Sequence, residues 1–240
     1  MTTANRATAF LAAFNDIESH LRDLVGARNS DSFCHVIRWA RKNGHLRDGQ
    51  ADDLSDYTDL RNAISHGEYR DFRPIAEPLP ETVEAITFLR DVLLDPPLAI
   101  EVLGHQEVVT FGPDDHIADT FEVLRTTTIS QFPVYDEERY RGLVNTDMIA
   151  RWLAAHDGQV DPATRIGYVM EHSGTPNRAV FLSRDATAQQ AVEKLSTPDD
   201  NGLLPQLGIV TEVGRPDHRP FRVIAGHDVA LLLHAVYRNP

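Results

Sequence analysis

The stretch that decides the fold is VVTFGPDDHIADTFEVL at residues 108–124, because a related stretch, AVFLSRDATAQQAVEKL, follows at residues 179–195. The identical residues keep one constant offset, pairing Val109 with Val180, Asp114 with Asp185, Glu122 with Glu193 and Leu124 with Leu195. Each stretch starts as a β-type run and continues as an amphipathic helix. Two further β-type runs and a final helix follow in both copies. The sequence therefore predicts a tandem repeat whose copies both run strand, helix, strand, strand, helix.

The residues before this repeat predict four helices. One apolar stripe, with alternating steps of four and three residues, indicates a helix over residues 3–25 and consists of Phe10, Phe14, Ile17, Leu21 and Leu24. Similar stripes predict a second helix that stops at Gly44, a third over residues 51–66 and a fourth after Pro80. The predicted fold class is α+β: an up-and-down four-helix bundle over residues 1–96, then βαββα repeats over residues 97–160 and 161–240.

We expect three conspicuous side chains to lie in the core. Trp39 and Trp152 occur at helical spacing with other apolar residues, which is more typical of core packing than of a platform for stacking bases. Cys34 is the only cysteine and lies between Phe33 and His35. It cannot form an internal disulfide, and beside an apolar helix face it is expected to be a buried, unreactive thiol.

Composition places the chain among ordinary globular proteins and excludes several classes. Of its 240 residues, 42% are hydrophobic and 25% are charged, which is typical of a folded domain. The formal net charge of −13 argues against a protein that coats nucleic acid by charge alone, because such binding needs Lys and Arg against phosphates. With one cysteine and no leader-like or membrane-spanning segment, a cytoplasmic protein is expected.

The second half of the sequence carries a strand-to-helix turn. Residues 129–136 read ISQFPVYD, and residues 142–147 read GLVNTD. These segments resemble the CBS domain, a module that pairs two βαββα units and often binds adenine nucleotides in the clefts between them. The resemblance implies that AMP, ATP or a related adenine nucleotide acts as a regulatory ligand. The residues it implies for binding are Ser130, Phe132, Pro133, Asn145, Thr146, Asp147 and Asp228.

Both copies depart from the family's turn. Asn145 and Ala225 stand where the family has a hydroxyl residue. Met148 stands where it has a carboxylate, whereas Asp228 keeps that carboxylate in the second copy. A helix N-terminus offers unpaired amides to a phosphate, and a carboxylate there can accept from ribose hydroxyls. The alternative is that Asp147 and Asp228 only cap their helices.

The end of the third predicted helix carries a different motif, RNAISHG at residues 61–67. With the PIAEP stretch at residues 74–78, it resembles the HEPN family, helical bundles in which an Arg and a nearby His define a metal-independent RNA-cleaving site. The resemblance implies that Arg61, Asn62 and His66 are catalytic. It also implies a homodimer, because the family places two copies of the motif across one cleft.

The chemistry of RNA cleavage suits these residue types. An imidazole exchanges protons near neutral pH, which fits His66, and a guanidinium stabilises added negative charge on phosphate, which fits Arg61. Asn62 lies four residues before His66, on the same helix face, and can orient His66 or the phosphate. No metal-ligand spacing occurs in the sequence, so no catalytic metal is expected. The alternative is that Arg61 pairs with Asp56 or Asp59 and that His66 caps the C-terminus of its helix, where the dipole favours a cation.

The two resemblances together imply a nucleotide-regulated, metal-independent endoribonuclease of the toxin or defence type. Its expected partners are a second copy of the chain, an RNA substrate and an adenine nucleotide, with neither DNA nor a membrane. The alternative is a non-catalytic adenine-nucleotide sensor in which the helical bundle serves dimerisation or partner docking.

Overall fold

The computed structural model describes residues 3–66, 76–159, 161–172 and 178–237. The chain divides into two compact units, which meet in sequence between Pro96 and Pro97. The first unit is helical, and the second alternates helices with short strands. The predicted α+β fold class is therefore confirmed.

Each helix of the first unit turns an apolar face inward. The helices are α1 (Thr3–Val25), α2 (Phe33–Lys42), α3 (Asp48–His66) and α4 (Pro80–Leu94). α1 contacts all three of the others, so its stripe forms the centre of the core. The largest fully buried side chains of this unit are Phe10, Phe14, Ile17, Leu21, Leu54 and Ile86.

Leu24, the last member of the α1 stripe, is 45% exposed, because it lies in the last turn of the helix. Two of the burial predictions for this unit are wrong. Trp39 is 39% exposed and Cys34 is exposed. The buried face of α2 consists of residues 33, 36, 37 and 40. Cys34 and Trp39 lie about 100° away from the middle of that face around the helix axis, so their side chains reach the surface.

The second unit contains both copies of the repeat, each preceded by a short lead-in helix. The first copy and its lead-in comprise α5 (Ala99–Leu103), α6 (Ile117–Thr126), β1 (Gln131–Asp136), β2 (Arg139–Asn145) and α7 (Thr146–Ala155). The second copy and its lead-in comprise α8 (Ile166–His172), β3 (Ala179–Ser183), α9 (Ala188–Ser196), β4 (Leu207–Thr211), β5 (Arg222–Ile224) and α10 (Gly226–Val236). β1 and β2 form an antiparallel hairpin, while β4 lies between a parallel β3 and an antiparallel β5. Trp152 is 2% exposed, so its predicted burial is confirmed.

The first strand of the first copy is reduced to a single parallel bridge between Phe111 and Val134. Phe111 donates to the carbonyl of Pro133 and accepts from the amide of Tyr135. The next bonds on either side would need an amide from Pro133 or from Pro113, and proline has none. The two prolines therefore confine this ladder to one residue, whereas β3 pairs with β4 along five positions.

The two copies exchange their lead-in helices. α5 precedes the first copy but contacts α9 and α10 of the second. Ile166 and Val169 of α8 precede the second copy but are buried in the core of the first, with Phe132 and Trp152. Backbone bonds fix both exchanges, from residue 99 to the carbonyl of residue 186 and from residue 166 to that of residue 115. Neither copy has a complete core without the other's lead-in segment.

Candidate functional site

In each copy of the repeat, one edge gathers the start of a strand, the end of the next strand and the start of the last helix. In the first copy Gln131 opens β1 and pairs with Asn145, which closes β2 and caps α7. The Asn145 side chain accepts from the amide of Met148 at 2.8 Å. The carbonyl of Ser130 accepts from the amide of Thr146 at 3.1 Å. The structure thus brings Ser130, Asn145 and Thr146 together, and we call this place the first edge.

Gln131 leaves a polar atom unused at the first edge. Its Oε1 is buried and has no hydrogen-bond partner within the described part of the chain. A buried acceptor without a donor costs about 1–3 kcal/mol, so such atoms usually meet a partner in the functioning protein. Gln131 lies opposite Asn145, at the N-terminus of α7. The unused acceptor therefore lies where a ligand with a donor group could bind.

The other residues predicted for this site are placed differently. Phe132 is fully buried in the core of the first copy, with its ring edge-on to Phe111 at 5.3 Å between centroids. Its side chain is therefore part of the core, and with Pro133 it offers the edge mainly backbone. Asp147 lies on the surface and accepts from Arg151 at 2.9 Å. That hydrogen bond, and the nearby negative charge, raise the pKa of Arg151.

The second copy builds a similar edge from different residues. Arg178 lies immediately before β3, Gln206 immediately before β4, and Ala225 is the N-cap of α10 after β5. The amide of Gln206 donates to the carbonyl of Arg178 at 2.8 Å, which holds the two residues side by side. Arg178 Nη1 donates to the carbonyl of Leu204 at 3.0 Å. We call this place the second edge.

The second edge also carries unused polar atoms and, in addition, a positive charge. Arg178 Nε and Gln206 Oε1 are both buried without a partner among the described residues. The N-terminus of α10 at Gly226 adds unpaired amides and the positive end of a helix dipole. A guanidinium and a helix N-terminus are each favourable groups for a phosphate, and the glutamine offers an acceptor for a donor group.

Asp228, the predicted ribose ligand, is already engaged within the protein. Its Oδ1 accepts from Arg222 Nη2 at 3.0 Å, and its Oδ2 accepts from the amide of Ala225 at 2.9 Å. The second bond caps the start of α10, as the alternative interpretation expects. A ribose hydroxyl would have to share these oxygens with Arg222 and Ala225. Its role as a ligand residue stays a prediction.

In the helical unit, the structure describes Arg61 and Asn62 of the predicted catalytic motif. Arg61 Nη1 donates to Asn62 Oδ1 at 3.3 Å, and its guanidinium carbon lies 5.9 Å from the centre of the Phe14 ring. Within the described ranges Arg61 forms no ion pair, so the alternative pairing with Asp56 or Asp59 is not observed. His66 is the last residue of α3, and its side chain lies outside what the structure describes.

An acidic cluster lies five to nine residues before Arg61 on α3. Burial, then the charges of Asp56 and Asp52, raise the pKa of Asp53. Burial, then Asp53 and Asp56, raise the pKa of Tyr57. The helix that carries Arg61 and Asn62 is therefore negatively charged before the motif.

Sequence reasoning misses Gln131, Arg178 and Gln206. The one signal for them is their position, since each polar residue directly precedes or opens a buried β-type run. Their side chains can be assigned to the edge only once strand register is known, because register decides which face each residue occupies.

The described residues offer neither a metal cluster nor a membrane span. Across their ranges, no three His, Cys, Asp or Glu side chains come close enough together to hold a metal ion. Over the same ranges, every helix is too short or too polar to cross a bilayer.

Residues 100–155 match the family model of the CBS domain. The predicted CBS resemblance is therefore confirmed over these residues, which run from α5 to the end of α7. The helical unit lies outside the matched residues, and its HEPN resemblance stays a prediction. No curated protein sequence matches the chain.

Solved CBS structures resemble the chain at low identity. The CBS-domain containing protein ATU1752 from Agrobacterium tumefaciens is 18% identical, with a TM-score of 0.40 over 55% of this chain and 92% of that chain. The CBS domain pair of MJ0100, in complex with 5′-methylthioadenosine and S-adenosyl-L-methionine, is 14% identical, with a TM-score of 0.42 over 58% and 97%. CBSX2 in complex with AMP is 15% identical, with a TM-score of 0.38 over 55% and 90%. These likenesses are distant, and the ligands are those proteins' own.

Proposed function

We propose that the chain is an adenine-nucleotide-responsive regulatory protein, in which the second unit binds the nucleotide at the second edge and, more weakly, at the first. The observation that carries this proposal is the set of buried polar atoms without a partner in the described residues at both edges, Oε1 of Gln131 and Gln206 and Nε of Arg178. Each edge also ends at the N-terminus of a helix, where amides are unpaired.

The chemistry of an adenine nucleotide fits these groups. The exocyclic amino group of adenine is a donor, and a glutamine Oε1 can accept a hydrogen bond from it. The phosphate is an anion, for which Arg178 and the N-terminus of α10 are each suitable partners. Arg178 favours the second edge for a phosphorylated ligand. The first edge, at Gln131 and Asn145, suits the uncharged part of a nucleotide, its base and ribose.

A thermal-shift titration of the full chain with adenosine, AMP and ATP tests the proposal. A ligand at about one hundred times its Kd stabilises the native state by about 2.7 kcal/mol, so AMP and ATP should raise the Tm. Arg178→Ala should remove the preference for AMP over adenosine. Arg184→Ala is the matched control, because this exposed arginine lies at the opposite end of β3 and pairs with Glu212 at 3.8 Å. An unchanged Tm with every ligand contradicts the proposal.

For the helical unit we propose metal-independent cleavage of RNA, controlled by the nucleotide. The supporting observation is that Arg61 holds its guanidinium against Asn62 and the Phe14 ring without a carboxylate partner in the described ranges. A guanidinium that has no carboxylate partner keeps its donors available for a phosphate.

In the proposed reaction the 2′-hydroxyl of a ribose attacks the adjacent phosphorus and the bond to the 5′-oxygen breaks. The products are a cyclic phosphate and a free 5′-hydroxyl. His66 acts as the base that takes the proton of the 2′-hydroxyl or as the acid that supplies a proton to the 5′-oxygen, and water exchanges the other proton. Arg61 stabilises the charge that develops on the phosphate oxygens. Asn62 orients Arg61, to which it is bonded. Two copies of the chain bring two such motifs to one cleft, so the active form is a homodimer.

Nucleotide binding controls cleavage in this proposal by favouring one arrangement of the two helical units in the dimer, which requires different affinities for the two arrangements. Such control suits a cytoplasmic enzyme of the toxin or defence type. The alternative is a non-catalytic sensor whose helical unit serves dimerisation or docking.

Incubation of the purified chain with total RNA in EDTA, with and without nucleotide, separates these two functions. Cleavage that is lost in both Arg61→Ala and His66→Ala supports the enzyme. Arg41→Ala is the matched control, because Arg41 is an exposed arginine of the same unit that pairs with Asp48 at 2.6 Å. Intact RNA under every condition, together with a nucleotide-induced rise in Tm, supports the sensor.

A further inference from the structure

The outer face of α2 carries an exposed aromatic side chain among cations. His35, Arg38, Trp39 and Lys42 are all exposed and follow one another at steps of three, one and three residues. This spacing places them in one stripe on the helix, away from its buried residues 33, 36, 37 and 40. The four side chains line one shallow concavity of about 360 Å³. We call this stripe the α2 platform.

The charges of the α2 platform are available to a partner. Arg38 Nε donates to the carbonyl of Cys34 at 3.3 Å, which fixes the base of the guanidinium. In the part of the chain that the structure describes, neither Arg38 nor Lys42 forms an ion pair. Arg41 differs, because it contacts Asp48 at 2.6 Å and Asp52 at 4.0 Å. On a chain of net charge −13, this is a local surplus of positive charge.

Trp39 gives the α2 platform a flat apolar surface. Its side chain is 39% exposed, and the His35 ring lies beside it at 6.2 Å between centroids, tilted by 47°. Arg38 and Lys42 are separated by about 6 Å along the helix axis, at about 1.5 Å per residue. An exposed indole flanked by two cations can stack on a base while the cations contact the neighbouring phosphates.

We propose that the α2 platform binds a single-stranded nucleic acid, with one base stacked on Trp39 and phosphates on Arg38 and Lys42. A duplex is disfavoured, because its bases are already stacked on each other. Self-association through this face is disfavoured as well, because it would bring two sets of cations together. The platform is separate from the Arg61 motif, and binding there requires neither cleavage nor a nucleotide.

Direct binding of a short labelled oligouridylate or oligothymidylate to the full chain, carrying His66→Ala and in EDTA, tests the proposal. Trp39→Ala should weaken binding by about fivefold to 150-fold, as expected for the loss of one stacked base. Arg38→Ala with Lys42→Ala should lower the magnitude of the negative slope of log K against log salt by about 1.4, since each single-strand phosphate contact contributes about 0.7. Arg41→Ala is the matched control and should change neither quantity.

Tryptophan fluorescence gives a readout of where the strand binds. Trp39 is exposed and Trp152 is 2% exposed, so only Trp39 emission should be quenched by the oligonucleotide. In Trp39→Phe the remaining emission should not respond. Equal binding of the ribo- and deoxyribo-oligonucleotides identifies the strand itself as the ligand, and a preference for one identifies the sugar as a further contact.

Three results would overturn the proposal: unchanged binding in Trp39→Ala, an equal loss in Arg41→Ala, or a change of oligomeric state in Trp39→Ala. The last would assign the face to a contact between copies, and sedimentation velocity measures it. Failure of RNA cleavage by the wild-type chain leaves these binding measurements intact, so the α2 platform and the proposed nuclease are tested separately.

Discussion

Arg222 and Asp228 form a nearly buried ion pair at the start of α10, with 3.0 Å between Nη2 and Oδ1 and side chains that are 9% and 14% exposed. Arg222 also donates to the carbonyl of Gly104 at 2.7 Å. The pair therefore connects β5 and α10 of the second copy to the segment that leads into the first. Because the two charged groups are largely desolvated, each depends on the other for its counter-charge.

Asp228→Ala should lower the free energy of unfolding by about 3–5 kcal/mol, because it leaves Arg222 buried without a counter-charge. Urea unfolding measures this loss. Asp147→Ala is the matched control: its pair with Arg151 is exposed in the first copy, and such surface pairs contribute little to stability. A loss in Asp228→Ala as small as in Asp147→Ala would show that Arg222 finds another partner. Nucleotide binding by Asp228 is better tested in Asp228→Asn, which keeps an oxygen for the Ala225 amide.

Tyr135 carries an orphaned hydroxyl in the second unit. Its ring lies against Tyr140 at 5.5 Å, its hydroxyl is buried without a partner in the described ranges, and burial raises its pKa to about 12. Tyr135→Phe removes a hydroxyl whose desolvation is not compensated by a hydrogen bond. The free energy of unfolding should therefore rise by about 1 kcal/mol. Tyr168→Phe, at an exposed position, is the control and should change it little.

The raised pKa of Tyr135 also sets a pH dependence. The unfolded chain loses this proton at about pH 10, so the wild type should lose stability as pH rises between about 10 and the folded value. Tyr135→Phe should not show this part of the loss. Urea unfolding on both sides of this window measures the difference, and parallel curves for the two proteins would contradict the burial of the hydroxyl.

The helical unit shows which parts of a fold a single sequence can predict. The stripe of α1 is sufficient to predict a helix over Thr3–Val25, because apolar side chains that recur at steps of four and three residues share one face only in a helix. Trp39 is wrongly assigned to the core when burial is predicted from its residue type. Its angular position around the helix places it on the exposed face. The reduced strand at Phe111 escapes prediction as well, since the missing amide of Pro133 matters only once Phe111 is known to pair with that part of β1.

Asp53→Asn should raise the Tm of the chain at neutral pH. Burial and the charges of Asp56 and Asp52 raise the pKa of Asp53, so its ionised form is unfavourable in the folded state. For a carboxyl whose folded pKa is raised, stability falls as pH rises from the unfolded pKa of about 3.9 through the folded value. The gain from Asn should therefore disappear below about pH 4, where both states hold the proton. Asp59→Asn on the same helix is the control, and an equal gain there would assign the effect to net charge.

The candidate edges can be predicted only in part. Ser130, Asn145 and Thr146 follow from the local motif, because a hairpin followed directly by a helix keeps them close whatever the rest of the fold does. Arg178 and Gln206 are separated in sequence by β3 and α9, and the parallel pairing of β3 with β4 brings them together. Such non-local register is not encoded in any short pattern.

Gly214→Ala should destabilise the second unit more than Gly202→Ala, although both glycines have a left-handed backbone, with φ of 72° and 76°. A Cβ at Gly202 meets nothing within 4 Å, so Ala there carries only the backbone cost of about 1–2 kcal/mol. A Cβ at Gly214 would lie 2.9 Å from the amide nitrogen of Ser183, next to the bridge between Ser183 and Val213. Overpacking of this kind adds about 1–3 kcal/mol. Urea unfolding of the two variants gives the difference directly, and equal losses would mean that the chain after β4 moves away from β3 without cost.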